Sequence, residues 1–340
     1  MFEKQIKIPE PEEILAALPM PEVLKKIKAE RDKLVADVIS GKSDKLLVIV
    51  GPCSAHESKP VLEYVERLGK LNERVKDKLV LVPRIYTNKP RTRGTGYKGM
   101  FSQPDPTKSE DILKGIVAIR ELNINAIGVS GLSAADEMLY PANMPYFEDL
   151  LSYISVGARS CENQLHRLVS SGMDVPVGIK NPTGGSLLVL LNSIYAAQSG
   201  QIFKLNGWQV KTQGNPLTHA ILRGASDYYG NDTPNFHYEN VMQVAEGYAN
   251  AGLANPAIII DANHSNSGKK FKQQIRICEE VMQNRLYDKD FRKIVKGFMI
   301  ESFLEEGSQA EDIVYGKSIT DPCLGWSDTE RLLLDIAEKV

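Results

Sequence analysis

Between Val80 and Met100 the chain carries five cationic side chains, Arg84, Lys89, Arg91, Arg93 and Lys98, and no carboxylate. The formal net charge of the whole chain is only −2, so this is a local excess. A solvated helical face mixes signs at helical spacing, whereas this stretch follows the apolar run Leu79 to Val82 and is broken by Pro83, Pro90 and glycines. It reads as a strand running into a long polar loop. Cations on such a loop suit small phosphate esters, because Arg forks onto phosphate oxygens and Lys supplies a mobile point charge. An RNA-binding loop is the plainer alternative, but the chain is slightly acidic and lacks a surrounding basic field. Gly94, Gly96 and Gly99 spell GxGxxG. A dinucleotide fingerprint must lie directly between a strand and a helix, and here the glycines lead into Phe101-Ser102-Gln103-Pro104, so the match is discarded.

Further chemistry-bearing residues fall just past short apolar runs. In chain order these are Cys53, Arg84, Glu137, Arg159, Lys180, Arg223, His264 and Glu301. Chance would leave several of them as glycine, serine or an apolar residue. The runs they follow are Leu46–Val50, Leu79–Val82, an ambiguous third, Tyr153–Ala158, Val175–Ile179, Thr218–Leu222, Ala257–Ile260 and Ile294–Ile300, with helical segments between them. For the third, propensity favours Ala126–Val129, while Leu132–Met138 also fits and ends on Glu137.

Eight alternating units imply a parallel sheet closed into a (β/α)8 TIM barrel, with an open doubly wound sheet as the runner-up. Residues 1–44 precede the repeat as a helical extension with a helix from Pro21 to Gly41, and residues 45–340 form the barrel. The apolar face of the extension must dock on the barrel or on a neighbouring subunit. The segment 201–217 reads as an inserted β-hairpin around Gly207.

In such a barrel the strand ends share one mouth. Closure sets the first, seventh and eighth strands side by side, which gathers Cys53, His264 and Glu301, and Asp321 in SITDPC can reach the same spot. Thiolate, imidazole and carboxylates make a divalent-metal site of borderline softness. A small buried hydrophobe for the Cys and a hydrogen-bonded core residue for the His are the plainer readings of each alone. Cys53 with His56 could instead be a thiol nucleophile and its base, but no third, orienting group is evident. Arg159, Lys180 and Arg223 face Arg84, Lys89 and Arg91 across the mouth, and two anionic groups are needed to balance them.

At 340 residues, 42% hydrophobic and 25% charged, the chain has the composition of a globular protein with a large core. No apolar run approaches the roughly 20 residues that span a bilayer, and the start shows no signal-peptide pattern. Four scattered cysteines without CxxC spacing suit a reduced cytoplasm. Neither a nucleic acid nor a membrane is an expected partner.

The motifs GPCS (Gly51–Ser54), KPRT (Lys89–Thr92), GAR with QLHR beyond it, PVGIKN, ILRG, DANHSN, MIES and YGKSITDPC closely resemble the class I microbial 3-deoxy-arabino-heptulosonate 7-phosphate (DAHP) synthases that carry an N-terminal extension. The resemblance runs from about Leu46 to the C-terminus in order and spacing. It implies condensation of phosphoenolpyruvate with erythrose 4-phosphate and water, the entry step of aromatic amino-acid biosynthesis. It also implies one divalent metal ion, Mn foremost with Fe, Co or Zn as alternatives, held by Cys53, His264, Glu301 and Asp321.

By the same resemblance Arg84, Lys89 and Lys180 bind the phosphoenolpyruvate carboxylate, and Arg159 and Arg223 its phosphate. Arg91 and Thr92 take the aldose phosphate, and Pro90 and Lys98 complete the substrate-binding set. Lys89, Glu137, Lys180 and His264 form the catalytic set, with Glu137 orienting or deprotonating the attacking water. The extension and the 201–217 hairpin lie where family members bind a feedback effector; the apolar face of the 21–40 helix suggests a homo-dimer or tetramer, and with it an aromatic amino-acid effector is expected. Here QIKIPEPEE departs from the acidic and arginine pairing of well-known sensitive forms, and Tyr140 stands where phenylalanine-sensitive members tend to carry aspartate.

Two alternatives remain. A 3-deoxy-octulosonate 8-phosphate synthase shares the barrel and the phosphoenolpyruvate site, but KPRT and the extension argue against it. A non-catalytic sugar-phosphate sensor would have no use for an electrophilic metal.

Overall fold

The computed structural model describes residues 1–91, 94–310 and 314–340. Its central sheet has eight parallel strands: Leu46–Gly51, Leu79–Pro83, Ala134–Glu137, Leu151–Val156, Val177–Lys180, His219–Leu222, Ile258–Asp261 and Val295–Glu301. Their hydrogen-bonded order is second, first, eighth, seventh, sixth, fifth, fourth, third. The eighth strand lies on the first from Leu47↔Gly297 to Gly51↔Glu301. Between the second and third strands one parallel bridge, Arg84 to Ala135, brings the ring together, with Ile85 N–H donating to the Ala135 carbonyl at 2.9 Å.

The strands are near-continuous apolar runs because both of their faces are covered. Leu46, Val48 and Val50 pack outward under the helices, while Leu47, Ile49, Val80, Val82, Tyr153, Ile221, Ile259 and Met299 fill the barrel. The helix Glu22–Ile39 inserts Val35, Val38 and Ile39 into that inner cluster and plugs the N-terminal end of the barrel. Its buried Arg31 donates to the Leu81 carbonyl at 2.6 Å. The C-terminal part of the extension's apolar face therefore docks on the barrel of its own chain. Val23, near the start of the same helix, stays exposed.

The third strand corrects the propensity reading. Ala126–Val129 belongs to the helix Ile112–Ser130, and the strand is Ala134–Glu137. Ala126 and Ile127 are buried in helical step with Ile116, Ile119 and Leu122, and Gly131 ends the helix at φ 68. Packing overrode a stretch of good strand formers.

The hairpin forms from Ile202–Leu205 and Trp208–Lys211, which pair antiparallel. Its turn is Asn206-Gly207, both at positive φ, as two-residue hairpin loops prefer. Gly94, Gly96 and Gly99 are all left-handed, and no helix begins until Ile112, so they serve a loop and not a nucleotide. No helix of the described residues is long and apolar enough to cross a membrane.

Candidate active site

The C-terminal ends of the strands surround a cavity of about 280 Å³. Seven of the eight strand-end residues line it: Cys53, Arg84, Glu137, Arg159, Lys180, Arg223 and His264. The eighth, Glu301, is buried just behind, 1% exposed. The loop after the second strand adds Lys89, Pro90 and Arg91, and the loop after the eighth adds Asp321. Thr92 lies outside the described residues.

One side of the mouth is a cluster of metal-ligand types. Ligand atoms of Cys53, Glu301 and Asp321 lie within 4.8 Å of one another. His264 stands beside this trio, its Nε2 3.9 Å from Glu301 Oε1. The His264 backbone is at φ 49, at the start of the single-turn helix His264–Ser267, and its Nδ1 lies 2.9 Å from the buried Asp261 carboxylate. That contact fixes the ring and leaves Nε2 aimed at the trio, the arrangement in which a carboxylate orients a metal-binding imidazole. One soft thiolate, one imidazole and two carboxylates fit a borderline divalent ion, so these four residues suit the group.

Charge around the trio is tightly compensated. Arg84 Nη2 is 2.9 Å from Glu301 Oε1, and its Nη1 donates to the Pro52 carbonyl in a short hydrogen bond. Asn263 Nδ2 donates to Glu301 Oε2 at 2.6 Å. Burial raises the Glu301 carboxyl, but Arg84, His264 and Lys89 outweigh it and hold the group below the usual range. Burial and the adjacent Glu301 push the Cys53 thiol up, against the pull of Lys89. Lys89 Nζ lies 2.6 Å from Cys53 Sγ and 3.2 Å from Asp321 Oδ2. Burial alone would lower its pKa, yet Cys53 and Asp321 raise it, so it remains a cation. Lys269 Nζ meets the other Asp321 oxygen at 3.0 Å.

The opposite side is short of negative charge. Lys180 Nζ is 3.7 Å from both Glu137 Oε2 and Asp261 Oδ2. Arg159 is exposed at the rim, and Arg223 is 8% exposed, with a buried Nη1 that finds no hydrogen-bond partner. Burial depresses Arg223, and Arg159 adds to that, because two guanidiniums face one cavity. The lining as a whole carries seven Lys or Arg side chains against two carboxylates. Such an excess of cations around one cavity, Arg84, Lys180 and Arg223 among them buried, calls for anionic ligands. Glu137 projects into the same space past Gly157, where an added Cβ would stand 2.6 Å from Glu137 Oε1.

Two sequence-predicted residues do not join the site. Lys98 makes an exposed ion pair with Glu110 at 2.6 Å and does not line the cavity. His56 is buried with its ring edge-on to Phe303, away from the cavity that Cys53 lines, which removes the thiol–imidazole reading.

Residues 22–334 match the model of the DAHP synthetase I family. The chain belongs to that family. It is 40% identical over 329 residues to the Trp-sensitive phospho-2-dehydro-3-deoxyheptonate aldolase of Enterobacter agglomerans, covering 94% of this chain and 91% of the relative. It is 39% identical to the Phe-sensitive enzyme of Escherichia coli (strain K12), covering 97% and 93%. A solved phospho-2-dehydro-3-deoxyheptonate aldolase from Francisella tularensis SCHU S4 superposes with a TM-score of 0.92 at 30% identity, covering 100% of this chain and 98% of that one.

Within this DAHP synthetase I chain, several residues at the mouth escaped the sequence reading. Asp261 ends the seventh strand and orients His264; it was legible as the last inward residue of an Ile-Ile-Ile-Asp run. Tyr86 stacks on Arg84, with the guanidinium carbon 3.6 Å from the ring centroid, and nothing local in the sequence marks it. Asn263 and Lys269 were hidden in a loop whose direction only the fold supplies.

Proposed function

We propose that this cavity condenses phosphoenolpyruvate with erythrose 4-phosphate and water, releasing phosphate and 3-deoxy-arabino-heptulosonate 7-phosphate. The observation that carries the reading is the division of one cavity into a Cys/His/Glu/Asp cluster and a cation-rich wall containing an unpartnered Arg223 nitrogen. Cys53, His264, Glu301 and Asp321 would hold a divalent ion, which would supply a Lewis acid for the aldehyde oxygen.

Arg159 and Arg223 take the phosphoenolpyruvate phosphate, and Arg84 and Lys180 its carboxylate, which sets C3 towards the metal side. Lys89 adds a fixed cation where alkoxide charge develops as C3 bonds to the aldehyde carbon. Water adds to C2, Glu137 accepts its proton, and the hemiketal loses phosphate by C–O cleavage. Lys180, its Nζ 3.7 Å from Glu137 Oε2, orients that carboxylate towards the cavity. Arg91 holds the remote phosphate of the aldose. Thr92 completes KPRT, and Lys98 is given no contact with substrate.

The extension 1–44 serves the barrel 45–340 as a plug, and an aromatic amino acid acts as effector, as the Trp- and Phe-sensitive relatives are named for. The chain works as a homo-oligomer, and Ile202 and Trp208, exposed on the hairpin, are apolar surface for a second copy. The deciding assay is phosphate release from phosphoenolpyruvate with each aldose phosphate in turn. Turnover with erythrose 4-phosphate is expected. Turnover with arabinose 5-phosphate alone would replace the reading with an octulosonate synthase, and no turnover with either would leave a sensor.

A further inference from the structure

The barrel ring is thinnest where it closes. Other neighbouring strands share three or more paired residues, whereas the second and third meet through the single Arg84–Ala135 bridge. Just past that bridge a side chain extends the ladder. Asp136 Oδ1 accepts from the Thr87 N–H at 3.0 Å, and Oδ2 accepts from the Thr87 hydroxyl in a short hydrogen bond. The same Oδ1 accepts from the Glu137 N–H at 2.6 Å.

Thr87 is also held from behind. Its carbonyl accepts from Phe101 N–H at 3.2 Å, and Gly99, at φ 101, lies so close that an added Cβ would stand 2.5 Å from that carbonyl oxygen. Two residues further along comes Lys89, and four along comes Arg91, both on the cavity wall. Asp136 itself is 6% exposed and does not line that cavity; Asn88 and Glu137 stand between.

We propose that Asp136 is a positioning residue that holds Thr87, and through it the Asn88–Arg91 segment, in register with Glu137, and so sets capture of the aldose phosphate. Three of the cations assigned to phosphoenolpyruvate are anchored elsewhere: Arg84 on Glu301 and Pro52, Lys180 between Glu137 and Asp261, and Arg223 through its backbone N–H on the Asn181 side-chain oxygen. A loosened Thr87 therefore moves the groups that meet the aldose and leaves most of the phosphoenolpyruvate site in place. Burial, partly offset by the Thr87 and Glu137 hydrogen bonds, lifts the Asp136 carboxyl to about 7, so an asparagine is close to it in both shape and charge. Its amide oxygen can accept from the Thr87 N–H while its NH2 donates to the Thr87 hydroxyl.

The proposal rests on the cavity reading given above, and the wild-type enzyme separates the two. If wild type shows no phosphate release with erythrose 4-phosphate, that reading fails and this one with it; if wild type turns over, only the variants decide. Steady-state kinetics should then be compared for wild type, Asp136→Ala, Asp136→Asn, Thr87→Val and the double variant.

Asp136→Ala is expected to raise KM for the aldose phosphate roughly tenfold or more and to lower kcat, with KM for phosphoenolpyruvate changed less than about threefold. Asp136→Asn should stay within about threefold of wild type, and the double variant should be no worse than Asp136→Ala, because both single changes cut one linkage. If Asp136→Ala does not fold, Thr87→Val carries the test through a selective rise in aldose KM. Equal losses for both substrates, no loss at all, or failure of asparagine to rescue would each overturn the proposal.

Discussion

The two sides of the barrel mouth are built to opposite rules. Around Cys53, Glu301 and Asp321 every charge already has a partner: Arg84 and Asn263 serve Glu301, Lys89 and Lys269 serve Asp321, and Asp261 serves His264. Across the cavity, Lys180 stands 3.7 Å from both Glu137 and Asp261, Arg159 is exposed at the rim, and one Arg223 nitrogen has no hydrogen-bond partner. The paired side is preorganised, so that its groups need not move when charge changes during reaction. The unpaired side keeps guanidiniums partly desolvated, which a bound dianion reverses.

That contrast is broken most completely on the paired side. Exhaustive chelation should abolish turnover, and a divalent ion such as Mn²⁺ should restore it; full activity in chelated enzyme would remove the metal from the mechanism. Cys53→Ala should lose metal-supported activity by roughly a thousandfold or more while the thermal unfolding transition persists, since the barrel retains its remaining core. Metal retained after gel filtration, measured by elemental analysis, is the second readout and should fall with Cys53→Ala.

On the unpaired side the effects should be smaller and divided by substrate. Arg223→Ala removes charge-assisted contacts worth about 1.5–3 kcal/mol, roughly 10- to 150-fold in affinity, and should raise KM for phosphoenolpyruvate. Arg91→Ala should raise KM for the aldose phosphate by about tenfold and spare phosphoenolpyruvate. Arg91 contributes through one guanidinium whose Nε is already held by the Tyr97 carbonyl at 2.7 Å. Reversal of the two patterns would turn the substrates end for end across the mouth.

The base of the barrel provides a control with no role in chemistry. His219 is buried there between the Tyr153 hydroxyl and the Leu217 carbonyl, each 2.8 Å away. Burial lowers its pKa to about 4 against the weaker opposing effect of the Leu217 hydrogen bond. The folded chain thus binds this proton less readily than the unfolded chain, where His titrates near 6.5. Its contribution is fully present above pH 6.5 and is lost as pH falls through about 4, on the order of 3 kcal/mol in total. Denaturant unfolding from pH 7.5 down to 4 should show that slope, and His219→Gln should flatten it; an unchanged slope would place the acid sensitivity elsewhere.

Much of this was legible in the sequence because strand ends in a closed barrel converge. Once Glu137, His264 and Glu301 were each placed after an apolar run, ring closure supplied their neighbours. What stayed hidden depended on directions that periodicity does not carry. The 126–129 stretch has strand propensity yet lies in a helix, because its apolar residues continue a helical stripe. Asp261, one residue past the apolar run Ala257–Ile260, and Asp136, inside the run Leu132–Met138, carried no sign of their partners until the fold turned one towards His264 and the other towards Thr87. The apolar face of the 22–39 helix gave no direction of its own, and only the fold shows Val35, Val38 and Ile39 packed into the barrel base.

The smallest effect is expected at Lys98, and it tests whether the basic loop acts as a field or as placed residues. By charge count alone Lys98 is equivalent to Lys89 and Arg91. In the structure its ammonium points outward to Glu110, with the two side chains 40% and 53% exposed. Solvent screens an exposed pair of this kind, so Lys98→Ala should change stability little. The charge also lies outside the cavity, where salt screens it over roughly 8–10 Å, so both KM values and kcat should stay within about twofold of wild type at physiological ionic strength. A drop in aldose affinity comparable to that of Arg91→Ala would mean that the loop refolds around the substrate and brings Lys98 inward. An effect that vanished on adding salt would instead mark long-range steering by the loop's net charge.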